Sequence, residues 1–418
     1  MVMHRWSVVL SFGALACAAC SLSQAARTTG GVALDAGAAG GDAREGASAR
    51  ACPTGMVVAS SDFASTNISA LSLSGAILSE SLLSSASAPV GLTTALSGDI
   101  ALPLTPTYGR IVLIDRFPNS VLTWLDPATA KVTNQLPVGT GFSANPHDYL
   151  EVSATKAYVS RYESNAHAGQ QPFDAGGDLL VVNPTDASVV GRVAFDPDGA
   201  LLPRPDRMIR IGGEAWVSLH RFSVDFKAAG DARMVGVSVV DDSVAWTRDL
   251  PGVASCGAIA VAPSGNVVAL SCSGVLADAN PMQRSAVVLL DATAHPPVEI
   301  KRFPVAAQLG APLGSALDFA SEQVLVGVAL GDMQAQRNDV AYSLDTSSGV
   351  VTVLLDAGAA FALGDVRCTP GCGDQCFVAD AQSKALRAWS VNGSSLLVQP
   401  SAVVDPSVGL PPRVIGVF

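Results

Sequence analysis

The sequence has few charged residues, and basic residues are the scarcer kind. Only 15% of the 418 residues are charged, and 25 Lys and Arg stand against 36 Asp and Glu. The net charge of −11 argues against nucleic acid as a partner, because binding to phosphates needs a surplus of positive charge. The 39 Gly and 25 Pro are too many for a helical bundle, whereas 49% hydrophobic residues are too many for a disordered chain. This composition favours an all-β protein rich in turns.

Several catalytic and metal-binding signatures are also missing. The chain has no Gly-x-Ser-x-Gly elbow, no His-Glu-x-x-His motif and no Walker-type phosphate loop. The segment 196–199, Asp-Pro-Asp-Gly, lacks the carboxylate spacing of a calcium cage and is interpreted as a turn. We therefore expect no metal and no cofactor, and no motif identifies a catalytic residue.

Long apolar stretches are absent except at the N-terminus. Residues 6–16 are uncharged and follow Arg5, in the order of a secretory signal peptide. The stretch is too short for a transmembrane helix, which needs about 20 residues. The sequence therefore predicts export.

Two cysteines end this N-terminal region. Small residues precede both Cys17 and Cys20, and the pattern resembles a bacterial lipobox, in which the cysteine is lipidated and becomes the mature N-terminus. Cys17 fits better because Leu15 and Ala16 precede it, whereas Cys20 has a cysteine, Cys17, at the third position back. The alternative is an ordinary signal peptide that is cut after Ala16 or Ala19. We interpret residues 1–20 as a lipoprotein-type signal peptide, 21–50 as a flexible tether rich in Gly, Ala and Ser, and 51–418 as the folded domain.

The rest of the chain contains an internal repeat of about 40 to 55 residues. Each unit has an apolar strand that ends in a polar residue, a variable polar loop, a second apolar strand, a turn and a third strand. The strand before the variable loop occurs seven times, at residues 57–62, 111–116, 157–162, 215–220, 267–272, 325–332 and 376–380. Short β-rich runs at this spacing predict four-stranded antiparallel sheets. Seven such sheets bury their faces by stacking in a ring, which predicts a seven-bladed β-propeller.

The two ends of this domain complement each other. The first unit begins near Met56 with its second strand and lacks a first strand. The chain ends with the apolar run 410–418, which has the pattern of the first strands in other units. The C-terminal strand is therefore predicted to complete the first blade and close the ring.

The repeat also resembles a known family. The sequences VLTWLDPATAKVTNQLPVG (121–139), ANPHDYLEVSATKAYVSRYESN (144–165) and DLLVVNPTDASVVGRVAF (178–195) are similar to the YVTN-type, WD40-like repeats of bacterial seven-bladed propellers. The resemblance is clear over about two blades. It implies the propeller fold and an exported location. Because the family includes surface-layer-like proteins, periplasmic binding proteins and relatives of lactone-hydrolysing enzymes, it does not imply one function.

An even set of six cysteines lies in the folded domain: Cys52, Cys256, Cys272, Cys368, Cys372 and Cys376. In an exported protein such a set predicts disulfides. A zinc site is disfavoured because there is no Cys-x2-Cys pair and no nearby His. The repeat register favours Cys256 with Cys272, Cys368 with Cys376, and Cys52 with Cys372. The last pair would clamp the ring where it closes, although Cys52 has Cys368 or Cys376 as an alternative partner.

One face of the predicted disc carries the polar residues that follow the second strands and precede the first strands. Long loops at 163–177, 223–233, 273–284 and 331–339 make this face the predicted binding surface. The candidate ligand-binding residues on it are His147, Asp148, Arg161, Asp206, Arg207, His220 and Arg221. The arginines suit a carboxylate or phosphate, and either histidine could serve as a general base.

The sequence thus predicts a cell-envelope lipoprotein, anchored by its N-terminal lipid and expected to be a monomer. Its propeller is expected to bind a small ligand, a glycan or a protein through the long-loop face without catalysis. The alternative is a propeller enzyme, either a lactonase-like hydrolase or a quinone-dependent oxidoreductase, with its site at the channel mouth. A purely structural envelope protein is a third class.

Overall fold

Short apolar runs between turn residues form strands throughout residues 52–418, the part of the chain that the structure, a computed structural model, describes. The predicted signal peptide, the tether at 21–50 and the lipidation at Cys17 or Cys20 lie outside the described residues.

Seven four-stranded antiparallel sheets form the blades of the propeller. Blade 1 begins with β1 (Met56–Ser61), β2 (Thr66–Leu71) and β3 (Ile77–Ser84). Blade 2 contains β4 (Ile100–Ala101), β5 (Ile111–Asp115), β6 (Val121–Leu125) and β7 (Val132–Pro137). Blade 3 contains β8 (Pro146–Ser153), β9 (Lys156–Ser164), β10 (Gly176–Asn183) and β11 (Ser188–Ala194).

Blade 4 contains β13 (Pro205–Ile211), β14 (Glu214–Leu219), β16 (Ala232–Ser238) and β17 (Val244–Leu250). Two short strands beside it, β12 (Leu201–Leu202) and β15 (Phe222–Ser223), pair with each other in a separate sheet. Blade 5 contains β18 (Cys256–Val261), β19 (Val267–Ser273), β20 (Ser285–Asp291) and β21 (Val298–Phe303). A 3-10 helix (Pro281–Arg284) lies between β19 and β20, and α1 (Val305–Leu309) follows β21.

Blade 6 contains β22 (Leu313–Phe319), β23 (Val324–Ala329), β24 (Val340–Asp345) and β25 (Val351–Asp356). Blade 7 contains β26 (Leu363–Cys368), β27 (Gln375–Asp380), β28 (Ala385–Asn392) and β29 (Ser395–Ala402). The last strand, β30 (Pro412–Val417), returns to blade 1.

Strand β30 closes the ring by pairing with β1 in antiparallel register. It is the innermost strand of blade 1, in the order β30-β1-β2-β3. The prediction that the C-terminal strand completes the first blade is confirmed. The seven predicted second strands are also found, each within a few residues of its predicted bounds.

The second strands are buried along their whole length because blades pack against both of their faces. Strands β1 and β23 have no exposed residue, which explains their continuous apolar sequences. Large aromatic side chains fill the spaces between blades: Trp124, Trp216 and Trp389 are buried in three such clusters. Gly236 is required beneath Trp246, because a Cβ atom there would lie 2.2 Å from the indole ring.

Three disulfides link Cys256 with Cys272, Cys368 with Cys376 and Cys52 with Cys372. These are the pairs that the repeat register favours. The first two join residues that lie opposite each other on neighbouring strands. The third joins the start of the described chain to blade 7, beside the closure of the ring. In residues 52–418, no helix has the length and apolar character needed to cross a bilayer.

Candidate functional site

The innermost strands of the seven blades surround a central channel and all run in the same direction through the disc. We call the face where they begin the mouth face, as at Pro146 and Pro205, and the face where they end the base face, as at Ser153 and Ile211. The long loops between second and third strands lie on the mouth face, as the sequence predicts.

Backbone bulges place polar side chains around the mouth of this channel. The pairing register shifts between Pro146 and Asp148 in blade 3 and between Pro205 and Met208 in blade 4. The extra residues in these bulges include His147 and Asp206. A bulge re-aims a side chain at the end of a strand and is common beside functional sites.

Asp206 is shared by two histidines, and we call His147, Asp206 and His220 the His-Asp-His cluster. His147 Nδ1 lies 2.8 Å from Asp206 Oδ1, and His220 Nε2 lies 2.9 Å from Asp206 Oδ2. The first contact is a hydrogen bond, whereas His220 Nε2 is not aligned for one. Asp206 is 5% exposed, so these contacts form away from bulk water.

Electrostatics define the protonation states in this cluster. Burial alone would raise the pKa of Asp206, but the two histidines outweigh it and hold this pKa well below the ordinary value. Burial lowers the pKa of His147 and outweighs the opposing attraction of Asp206. At neutral pH we therefore treat Asp206 as a carboxylate and His147 as a neutral imidazole that donates its Nδ1 proton.

The other ring nitrogen of His147 is left with its lone pair. Nε2 of His147 makes no hydrogen bond to any residue in the described range 52–418. This atom is also not fully buried. A neutral imidazole with Nδ1–H bound to a carboxylate presents Nε2 as an acceptor or base. The mouth of the channel therefore holds one oriented, accessible basic nitrogen.

A stack of side chains supports His147 from the side. Its ring lies parallel to that of Tyr162, with the centroids 4.3 Å apart. The guanidinium of Arg204 lies 5.1 Å from the centroid of the Tyr162 ring and 3.9 Å from that of Phe226. Arg204 Nη1 donates to Glu163 Oε2 at 2.7 Å. Sequence reasoning did not single out Tyr162, Glu163 or Arg204 as part of the site. Tyr162 and Glu163 lie at the end of a second strand, and Arg204 directly precedes a first strand, which are the positions that face the mouth.

Blade 5 approaches the cluster closely. Ser255 Oγ lies 3.4 Å from His220 Nδ1, and the hydroxyl of Tyr162 lies 3.2 Å from the same nitrogen. A Cβ atom on Gly257 would come within 3.1 Å of Asp206 Oδ2. The absence of a side chain at Gly257 therefore lets the strand pass beside the carboxylate.

Arg207 extends from the mouth into the channel. Its Nη1 donates to the carbonyl oxygens of Leu102 at 3.2 Å and His147 at 3.3 Å. The other two nitrogens of the Arg207 side chain make no hydrogen bond to residues 52–418. Burial lowers the pKa of Arg207, but nearby carboxylates, foremost Asp148, outweigh it and raise this pKa. Arg207 therefore stays charged and has donors to spare.

Asp148, another predicted ligand residue, joins the innermost strands instead. It accepts hydrogen bonds from the backbone N–H groups of Leu104 at 3.0 Å, Tyr149 at 2.9 Å and Met208 at 2.8 Å. Burial raises its pKa to about 6, against the opposing effects of Arg207 and these N–H groups. Asp318 bridges blades 6 and 7 in the same way. Asp148 therefore belongs to the frame of the channel.

Arg161 and Arg221 are also engaged in the frame. Arg161 is fully buried and uses all three nitrogens, with a bidentate pair to Asp178 at 2.7 Å and bonds to loop oxygens. Arg221 donates to the carbonyl of Asp231 and to the carboxylate of Asp198. Asp198 lies in the segment that the sequence predicts to be a turn. Arg161 therefore has no nitrogen left for a ligand, and both terminal nitrogens of Arg221 are engaged.

A cavity of about 500 Å³ opens on the base face, away from the His-Asp-His cluster. It is lined by the ends of the innermost strands, which are largely aliphatic, and by the segment 104–106. Sequence reasoning missed it because such aliphatic residues have the pattern of a buried core. Across residues 52–418, no three His, Cys, Asp or Glu side chains are grouped to hold a metal ion.

Comparison with known proteins yields structural likeness without a sequence family. No family model matches the chain, and no curated protein matches it. The fold is similar to the periplasmic gluconolactonase of Pseudomonas aeruginosa, with a TM-score of 0.56, 13% identity, and coverage of 87% of this chain and 99% of that one.

Two further structures share the architecture. A candidate 6-phosphogluconolactonase from Bacteroides uniformis gives a TM-score of 0.53 at 13% identity, with coverage of 87% of this chain and 99% of that one. A hypothetical selenium-binding protein from Sulfolobus tokodaii gives 0.57 at 9% identity, with coverage of 88% and 94%. At such identities the likeness shows the fold alone. The chain is therefore a seven-bladed β-propeller, similar in architecture to proteins with different assigned activities.

Proposed function

We propose that the protein binds a small hydroxylated molecule, such as a sugar or a sugar-derived lactone, at the mouth of its channel. We call His147, Tyr162, Asp206, Arg207 and His220 the mouth site. The observation that carries the proposal is the unbonded Nε2 of His147, which Asp206 orients through Nδ1. A hydroxyl group of the ligand would donate to this nitrogen.

The charges of the mouth site favour a neutral or weakly anionic ligand. The positive charge of Arg207 lies 3.8 Å from Asp148 and is balanced by it, so no large positive surplus remains for a phosphate. The free N–H groups of Arg207 suit carbonyl, hydroxyl or single carboxylate oxygens. The gluconolactonase named among the similar structures acts on a molecule of this chemistry, which supports the choice.

Hydrolysis of the bound lactone is the second candidate function, and the same nitrogen favours it. A neutral His147 held by a carboxylate has the arrangement of a general base. Nε2 would take a proton from a water molecule as its oxygen bonds to the lactone carbonyl carbon. The ring C–O bond would then break, and the proton would return to the leaving oxygen.

Calorimetric titration with D-gluconate tests binding, and a pH-stat assay with D-glucono-1,5-lactone tests turnover above the spontaneous rate. His147→Gln is expected to weaken gluconate binding by about tenfold or more, the loss of one good polar contact. His295→Gln is the matched control, because His295 is 64% exposed on another surface. Binding without turnover supports the first function, and turnover that is lost in His147→Gln supports the second. Absence of both overturns the proposal.

We also propose that the protein is exported and held at the membrane by a lipid on Cys17 or Cys20, as a monomer. The three disulfides are compatible with export. Intact mass of the protein from native envelopes, before and after reduction, is the test. A diacyl or triacyl mass is expected, with six hydrogens gained from the three disulfides. A mass that begins at Ala18 or later without lipid would contradict the anchor.

A further inference from the structure

The cavity on the base face has the size and lining of a ligand site. Its volume of about 500 Å³ lies within the range of small-molecule pockets, about 300 to 1,000 Å³. The apolar side chains that line it with partial exposure include Leu104, Val261 and Val417. Leu150, Ile209 and Ile259 also border it but are at most 2% exposed and belong to the cores between blades. Such a lining binds apolar surface by removing it from water.

One wall comes from a chain segment inside the channel. Residues 104–106 follow the two-residue strand β4 and line the cavity. Arg367 donates to the carbonyl oxygens of Leu104 at 3.2 Å and Ile415 at 2.9 Å. Together with Arg207, which donates to Leu102, it bridges blades across the channel. The cavity and the mouth site are therefore separated by arginines and backbone.

Of the four charged side chains that line the cavity, Glu151, Asp318 and Arg367 are engaged within the protein, whereas Arg210 is exposed. Arg367 bonds two carbonyl oxygens, as described, and Asp318 accepts one backbone N–H on each oxygen at 2.9 Å. Arg210 donates to Gly212 and Val152 carbonyl oxygens at 3.1 and 2.8 Å. The carboxylate of Glu151 accepts from the hydroxyl of Tyr149 at 3.2 Å and is fully buried. The one charge that a ligand would find without a charged partner is that of Arg210, which is exposed to water, so burying a charge deeper in the cavity would be unfavourable.

The opening of the cavity is braced by a disulfide. Pro53, Pro370 and Gly371 line it beside the linked residues Cys52 and Cys372. Prolines and a disulfide restrict the motion of this segment. The opening is therefore held in one arrangement, which reduces the entropy lost when a ligand binds.

We propose that the base-face cavity is a second binding site, for an uncharged and mainly apolar small molecule. It binds apolar surface against the apolar part of its wall and offers no buried partner for a charged group. Its residues do not overlap the mouth site, so this site is independent of the function proposed above.

Two fluorescent probes that share a ring system test this inference on the mature protein. N-phenyl-1-naphthylamine is neutral, and 8-anilinonaphthalene-1-sulfonate carries a sulfonate. The neutral probe is expected to bind saturably, one molecule per chain, and about tenfold or more tighter than the sulfonate. Equal affinity for the two probes, or no saturable binding of the neutral one, would overturn the proposal.

Substitutions that fill the cavity locate the bound probe. Thr105 and Val261 are half-buried in its wall, and either Thr105→Trp or Val261→Trp is expected to weaken binding of the neutral probe by about tenfold or more. Thr129→Trp is the matched control, because Thr129 is exposed in a surface turn. If Thr105→Trp and Val261→Trp both fold, which far-ultraviolet circular dichroism would show, and bind the probe as the control does, the site is elsewhere. His147→Gln is expected to leave probe binding unchanged.

Discussion

The two ends of the central channel are built from the same strands but have opposite chemistry. At the mouth face the strands start with bulges, and the side chains there include His147, Asp206 and Arg207. At the base face β13 ends in regular pairing, whereas β8 has a second register shift between Glu151 and Ser153, and both strands border the cavity. A repeated backbone can thus hold a polar site at one end and an apolar one at the other, because bulges change which side chains face the channel.

The two ends also differ in how their polar groups are coupled. In the mouth site one carboxylate serves two imidazoles, so a change at Asp206 reaches His147 and His220 together. At the base face each charged group has its own partners, as Asp318 and Arg367 show. The mouth site should therefore respond strongly to single substitutions and to pH, whereas the base-face cavity should respond to changes in its volume.

The disulfides at the two ends give the largest expected difference. Cys52–Cys372 on the base side joins residues 320 apart, whereas Cys256–Cys272 on the mouth side joins residues 16 apart. Loop-closure entropy predicts losses of about 5 and 3 kcal/mol in the free energy of unfolding for the serine pairs C52S/C372S and C256S/C272S. Urea unfolding measures both. Equal losses would show that closure of the ring does not depend on its terminal clamp.

Removal of Asp206 is the next largest change and separates the two sites. Asp206→Ala leaves the Nδ1–H group of His147 without its acceptor and removes the carboxylate 2.9 Å from His220 Nε2. This is expected to cost about 2 kcal/mol in the free energy of unfolding. Binding of gluconate is expected to weaken by about 100-fold, because His147 loses its orientation. Binding of N-phenyl-1-naphthylamine at the base face should be unchanged.

Asp318→Ala is the counterpart at the other end of the channel. It removes a carboxylate that accepts two backbone N–H groups beside the cavity. We expect this variant to weaken binding of the neutral probe more than binding of gluconate. If Asp206→Ala or Asp318→Ala lowers the affinities for gluconate and for the neutral probe by the same factor, the two ends of the channel are not independent.

Much of the fold follows from the sequence, for a physical reason. A strand packed on both faces must be apolar throughout, so the runs at 111–116 and 267–272 stand out and recur with the period of a blade. The missing first strand near Met56 and the apolar C-terminal run predict how the ring closes. The cysteine pairs follow from the same register.

The site is only partly readable from the sequence. The register brings His147, Asp206 and His220 to the mouth, but it does not show which polar groups are already engaged. Arg161 is engaged because the loop after β9 folds back and presents the carbonyl of Phe173 at 2.6 Å. The base-face cavity depends on segment 104–106 turning into the channel after β4, which no local pattern indicates.

A pH titration sharpens the contrast between a polar and an apolar site. Burial holds the pKa of His147 below its usual value of 6.5, so Nε2 keeps its lone pair from pH 8 down to about 6.5. Gluconate affinity is expected to stay level over that range and to fall only at lower pH. Binding of the neutral probe should remain level throughout. A midpoint for gluconate at or above pH 6.5 would show that His147 is not the acceptor.

The same groups affect stability in opposite directions. Because the folded-state pKa of His147 is lowered, its contribution is present above pH 6.5 and is lost as the pH falls below that value. The pKa of Asp148 is raised to about 6, so the folded state binds more protons there, and this group favours folding as the pH falls through 6. Urea unfolding of Asp148→Asn and His147→Gln at pH 7 and pH 5 separates the two contributions.

The smallest expected effect lies at the rim of the mouth site, where Arg204 packs on Phe226. The guanidinium carbon is 3.9 Å from the ring centroid, and Arg204 is 1% exposed. Phe226 is 44% exposed, so the contact is only partly shielded from water. We expect a coupling of about 1 kcal/mol in a double-mutant cycle of Phe226→Ala and Arg204→Met. The pair Arg413 and Phe63 is the matched control, at 4.9 Å with a ring that is 70% exposed; its coupling is expected to be about 0.5 kcal/mol. Equal coupling energies would show that burial does not strengthen the rim contact. A larger coupling at Arg204, together with weaker gluconate binding in Phe226→Ala, would show that the stack positions His147 from outside the His-Asp-His cluster.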